Sequence, residues 1–122
     1  MSGLLVFDKI ISDRGSRYAV SGGAARDRDG VAALLDELRG RGRFAKATHH
    51  SWAAILSGEP AFSDDGEKGA GGLILQMIER AGLADHVVIV TRWYGGKHLG
   101  GDRFRHVADA VRHYLAEMGQ RA

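Results

Sequence analysis

The run Val87-Val88-Ile89-Val90 leaves this chain few folds to choose from. Four consecutive β-branched residues favour a strand, and a strand without a polar side is buried on both faces. A sheet must therefore be built around it and covered by other elements. The run continues through Thr91-Arg92-Trp93-Tyr94-Gly95-Gly96-Lys97-His98-Leu99-Gly100-Gly101 into a helix opening at Asp102. Glycine lets backbone amides approach a ligand, and a helix N-terminus adds unpaired donors and positive potential. This strand–loop–helix junction is a candidate anion site.

The remaining patterning supplies partners for that strand. Leu4 to Ile11 and Ser16 to Val20 read as a hairpin across Ser12-Asp13-Arg14-Gly15, with Gly22-Gly23 loosening or bulging its far end; the alternative is a fraying arm for the first segment. Asp29 caps a helix with the stripe Val31, Leu34, Leu35, Leu38, which Gly40 ends. Ala45 to Leu56 reads as a strand broken at Ser57-Gly58-Glu59-Pro60. A helix with Ile74, Met77, Ile78 and Ala81 on one face follows, stopped by Gly82. Phe104, Val107, Ala108, Val111, Leu115 and Met118 form the stripe of the last helix. The order β-β-α-β-α-β-α predicts an α+β fold, an α/β sandwich. Its sheet is expected to be mixed and of about four strands, with helices packed on its face.

At 122 residues the chain suits one domain, expected to span 1–122. Cysteine is absent, which excludes disulfides and thiolate metal sites. The start, MSGLLVFDKI, lacks the basic region of a signal peptide, and no apolar run reaches membrane length. A soluble cytoplasmic location with no membrane partner is expected. Net charge is only +2, but 13 of the 17 cations are arginine, which pairs bidentately with phosphate or carboxylate.

The junction offers Arg92, Lys97 and Arg103 as cations, Gly95, Gly96, Gly100 and Gly101 as a backbone cradle, and Trp93 and Tyr94 as stacking platforms. The alternative is a tight structural connection with Trp93 packed under the last helix. Neither a P-loop nor a dinucleotide fingerprint is present. Asp64, Asp65 and Glu67 form an acidic turn that could hold a hard cation, cap the next helix, or neutralise the basic loop. His49 and His50 point to opposite faces if they lie in a strand, so at most one serves a given site. His49 with Asp64, Asp65 and Glu67 would be the ligands of a metal-dependent hydrolase. Arg39, Arg41, Arg43 and Lys46 form a separate basic cluster that either touches phosphates or is simply a solvated loop.

Ala45-Lys46-Ala47-Thr48-His49-His50, Ser63-Asp64-Asp65-Gly66-Glu67, Ala70-Gly71-Gly72, Thr91-Arg92-Trp93-Tyr94-Gly95-Gly96 and Leu99-Gly100-Gly101-Asp102-Arg103-Phe104 together resemble the Impact family. That family includes eukaryotic Impact regulators and bacterial YigZ-like proteins. The resemblance runs from about Asp13 to about Leu115. It implies a fold like domain 2 of a small-subunit ribosomal protein. It implies a non-enzymatic, translation-associated role, with RNA or the ribosome as partner, or a regulatory protein in a stress-response kinase pathway. No cofactor or metal is implied. The family's signature surface maps onto His49, Asp64, Asp65, Glu67, Arg92, Gly95, Gly96, Gly100 and Arg103. Neither the N-terminal interaction domain of eukaryotic members nor the C-terminal ferredoxin-like domain of YigZ-like proteins has a counterpart in the sequence.

Overall fold

The computed structural model describes residues 3–121, with side chains through 119. The ends of the expected domain, Met1, Ser2 and Ala122, lie outside the described residues, as do the first two residues of the MSGLLVFDKI stretch. The elements are β1 (Leu5–Asp13), β2 (Ser16–Ala24), α1 (Arg28–Arg39), a short 3-10 helix (Gly42–Lys46), β3 (His49–Leu56), β4 (Glu59–Ser63), α2 (Ala70–Arg80), β5 (His86–Trp93) and α3 (Asp102–Arg121). Strand order is β1-β2-β5-β3-β4. The α+β class holds. No described helix is long and apolar enough to cross a membrane.

Two expectations about the sheet are corrected. It has five strands and every pairing is antiparallel. The helical crossovers do join parallel strands, β2 to β3 and β4 to β5, but each crossover skips a strand. β5 inserts between β2 and β3, and β3 inserts between β4 and β5, so no parallel pair is adjacent. The extra strand comes from the breaker segment. Ser57 (φ 50°) and Gly58 (φ 86°) form a two-residue hairpin turn, and Pro60 sits in edge strand β4, where a missing N–H is tolerated.

The sheet is covered on both sides. Val87 and Ile89 join Val31, Leu34, Leu35 and Leu38 of α1, whereas Val88 and Val90 join Ile74 and Ile78 of α2 and Val107 and Val111 of α3. Helix α1 is capped by Asp27, whose side chain accepts from Gly30 N at 2.8 Å, two residues before the expected Asp29. Phe104 leaves the expected core stripe: it is 36 % exposed, with its ring against Gly69. The bulge expected at Gly22-Gly23 lies instead in β1, between Phe7 and Ile11. Gly22 pairs regularly with Val88, and its bare Cα admits the Tyr114 ring, which a Cβ would meet at 2.6 Å.

The turn between β1 and β2 is clasped to the start of α3. Arg14 bonds Asp13 and Asp102, and His106 lies 2.7 Å from Asp13. Arg14, then His106, holds the Asp13 carboxyl down to about 2. The same turn packs against the loop after β5: a Cβ on Gly95 would stand 2.1 Å from Gly15 C and 2.4 Å from Ser16 N. Gly95→Ala is therefore expected to destabilise the fold by about 2–4 kcal/mol. Gly101→Ala, with open space around its Cα, should stay within about 0.5 kcal/mol of the parent. Urea unfolding of the two variants checks the contrast.

Candidate functional site

Alternation along β5 continues past the apolar run and divides its polar end between the two faces. Thr91 and Trp93 go to the α1 side, and Arg92 goes to the α2–α3 side. On the α2–α3 side, register places Arg92 opposite Tyr18 of β2 and His49 of β3. The first turn of the loop entering α2 brings Glu67 over them. Arg92 Nη1 donates to both Glu67 oxygens (2.8 and 3.1 Å), and Nη2 donates to Ser16 Oγ (3.2 Å). Arg103, from the first turn of α3, reaches Glu67 at 3.4 Å, and His49 Nε2 stands 3.8 Å from it. The Arg92 and Glu67 side chains are 6 % and 5 % exposed.

Above this buried pair lies a cavity of about 490 Å³. Thr48, His49, Tyr94, His98, Gly100 and Arg103 form its walls. Tyr94 is exposed, stands over the Arg92 guanidinium at 5.5 Å, and meets His98 ring to ring at 5.9 Å. Arg92 Nε is buried with no partner among the described residues, as is the hydroxyl of neighbouring Tyr18. Burial pushes that Tyr18 hydroxyl up to about 12, so it stays protonated.

Arg92, Tyr94, Gly100, Arg103, His49 and Glu67 thus meet at one concavity, while other expected site residues do not. Trp93 points to the opposite face, where its indole N–H donates to the Arg43 carbonyl (3.0 Å) and its ring meets Phe44. Gly95 serves the close approach to Gly15, and its amide donates to Ser16 Oγ (3.1 Å). Lys97 is exposed, and Lys97, Gly96 and Gly101 do not line the cavity. Asp64 accepts from Gly69 N and Gly71 N (3.0 and 2.8 Å), and Asp65 accepts from His50 N (2.8 Å). Asp64 thus ties down the entry to α2, and Asp65 ties the same turn to the start of β3. Among the described residues no three metal-capable side chains converge. The acidic turn meets the arginines that flank the glycine loop, Arg92 of β5 and Arg103 of α3, through Glu67. No motif marks Ser16, and Thr48, though inside a family motif, is not singled out by sequence; the β2–β5 and β3–β5 pairings bring both here. Thr48 Oγ1 accepts the Tyr94 amide at 2.9 Å.

His50 faces away from the cavity. The Thr91 hydroxyl lies 2.8 Å from Nδ1, and Nε2 donates to the Phe44 carbonyl at 3.0 Å. Burial holds its pKa below the usual imidazole range. The basic cluster beside it is largely paired: Arg39 with Asp36, Arg41 with Glu37 and Arg43 with Asp8.

The geometry defines a class: a small antiparallel α/β sandwich with a polar cavity floored by a buried arginine–glutamate pair. The Impact N-terminal domain model matches residues 14–115, and the chain belongs to that family. It is 31% identical over 117 residues to Protein IMPACT homolog of Caenorhabditis elegans, covering 89% of this chain and 46% of that protein. Against Protein IMPACT homolog of Saccharomyces cerevisiae the figures are 32% over 115 residues, 89% and 45%. Against human Protein IMPACT they are 37% over 93 residues, 71% and 29%. The chain spans less than half the length of these curated relatives. Among solved structures, the two-domain translational regulator Yih1 superposes with a TM-score of 0.57 at 29% identity, covering 96% of this chain and 47% of that one. A hypothetical protein superposes with a TM-score of 0.78 at 22% identity, covering 95% and 62%, which speaks to the fold alone.

Two outcomes follow from this geometry. Glu67→Ala leaves a buried guanidinium without its counter-ion and should destabilise by about 3–5 kcal/mol, whereas the apolar pair Glu67→Leu with Arg92→Met should lose less. Chemical denaturation of both decides. Separately, the unfolded chain takes up a proton on His50 near pH 6.5 that the folded chain resists, so stability is fullest above 6.5 and falls as pH drops below it. His50→Asn should flatten that slope by up to about one proton, read from unfolding midpoints between pH 7 and 5.

Proposed function

We propose that this chain is a non-enzymatic, translation-associated regulatory module that holds an anionic group of RNA or of the ribosome in the cavity above Arg92. The observation that carries the reading is the convergence of two guanidiniums on that cavity, with Arg92 Nε buried and unpartnered among the described residues. Glu67 offsets one of the two positive charges, so the pair fixes Arg92 in place and Arg103 supplies the adjustable cation. Tyr94 and His98 offer ring faces for an unstacked base. Apart from Arg92 Nε and the Tyr18 hydroxyl, the polar groups of the floor hold one another, which suits binding rather than turnover, and no cofactor enters the proposal. Membership of the Impact family, and the regulatory description of Yih1, support the link to translation; a cytoplasmic site of action is part of the proposal.

A second reading has its own support. Tyr94 (42 %) and Phe104 (36 %) are among the most exposed large hydrophobic side chains. Aromatic and arginine side chains are enriched at protein hot spots, which favours a regulatory protein partner. The two readings separate in a pull-down with and without nuclease.

Fluorescence anisotropy with a labelled single-stranded RNA tests the leading reading. Affinity should fall steeply with salt, and Arg103→Ala should weaken it about 5- to 10-fold at low salt with folding intact. Unchanged affinity in Arg103→Ala would move the site elsewhere.

A further inference from the structure

At the β1 edge of the sheet lies a second cationic concavity, of about 320 Å³, lined by Lys9, Ile11, Ser12 and Arg17, none of which lines the first. Its residues are brought together by register. Ser12 of β1 lies opposite Arg17 of β2, and Arg17 lies opposite Trp93 of β5. Directly opposed residues share a face, so Ser12, Arg17 and Trp93 form one row across three strands. Lys9 lies in the β1 bulge, where it adopts φ 54°, and lines the same concavity. A bulge re-aims a side chain, and a left-handed lysine carries strain that regular pairing would relieve.

The charges here are uncompensated. Asp8, the nearest acid in sequence, spends one carboxylate oxygen on Arg43 and on the Lys9 backbone amide. Among the described residues neither the Lys9 ammonium nor the Arg17 guanidinium has an ion-pair partner, and the Ser12 hydroxyl is likewise uncommitted. This separates Lys9 and Arg17 from Arg39, Arg41 and Arg43, the cations that the sequence singled out and that the structure finds paired. Edge strands often carry lysine and bulges simply to block edge-to-edge pairing. That reason does not extend to Arg17, which lies on an interior strand. The row ends on Trp93, whose ring is half-buried under the Arg43 guanidinium at 4.0 Å. Donors without acceptors suit an anion, and a row of them suits the repeating phosphates of a nucleic-acid strand.

We infer that Lys9, Ser12 and Arg17 form a second phosphate-binding surface, at the β1 edge of the sheet, which takes the backbone of single-stranded RNA. The chain then has two separate sites on one sheet.

The test is a salt titration of a labelled single-stranded RNA with the 122-residue chain. The double variant Lys9→Ala with Arg17→Ala changes two exposed side chains and should fold. Removing two phosphate contacts should lower the slope of log affinity against log salt by about 1.4. The control Arg28→Ala with Arg80→Ala removes the same charge elsewhere and should leave the slope unchanged. An unchanged slope in the Lys9/Arg17 variant, an equal drop in the control, or an absence of RNA binding by the parent chain would each overturn the inference. Arg103→Ala keeps the two sites apart. A loss with Arg103→Ala alone upholds the cavity and removes this surface, and a loss with the Lys9/Arg17 pair alone does the reverse.

Discussion

The side-chain alternation of β5 is the constraint on which both faces of the molecule depend. This strand pairs antiparallel with β2 and with β3, so its register is held from two sides. Val87 and Ile89 fill one core layer, and Val88 and Val90 fill the other. A slip of one residue would exchange the layers and move every side chain to the wrong face. The same periodicity places Arg92 among Tyr18, Glu67 and Arg103 while Trp93 turns toward Phe44 and Arg43. Two residues adjacent in sequence therefore serve different surfaces.

Glu67 changes the chemistry of the junction. An open arginine–glycine cradle would bind any polyanion. A carboxylate nearly excluded from water instead holds one guanidinium by its Nη1 and leaves Nε free. A buried pair of this kind is weak evidence for stability, because desolvation offsets much of the attraction. Its effect is positional: it ties the entry of α2, the end of β5 and the first turn of α3 to one point. Ser16 adds the β1–β2 turn by accepting from both Arg92 and the Gly95 amide. Four chain segments far apart in sequence thus share one hydrogen-bonded cluster beneath the cavity.

Much of the architecture was legible because it rests on local patterning. The stripes of α1, α2 and most of α3 follow from helical spacing, and Val87–Val90 announces a strand covered on both sides. The errors have identifiable causes. Pro60 reads as a break, yet an edge strand dispenses with its N–H, so a fifth strand forms. The crossover helices imply parallel neighbours, and strand insertion is a non-local event that no periodicity reports. Phe104 fits the helical stripe but lies where α3 overhangs the α2 loop, and Gly69 offers it a surface there.

At the candidate site the sequence supplied the ingredients and not their arrangement. It determined by itself that β5 would be buried on both faces, that a glycine-rich segment would join it to α3, and that His49 and His50 could not share a site. These are consequences of bond geometry and side-chain volume acting over a few residues. Only the tertiary structure decided that Glu67 and not Asp64 meets the arginines, that Trp93 leaves the cavity, and that Lys9 and Arg17 stand unpaired while the Arg-Gly-Arg loop does not. Those outcomes turn on which strands become neighbours and in what register, and the free energy that selects them is collected between segments dozens of residues apart.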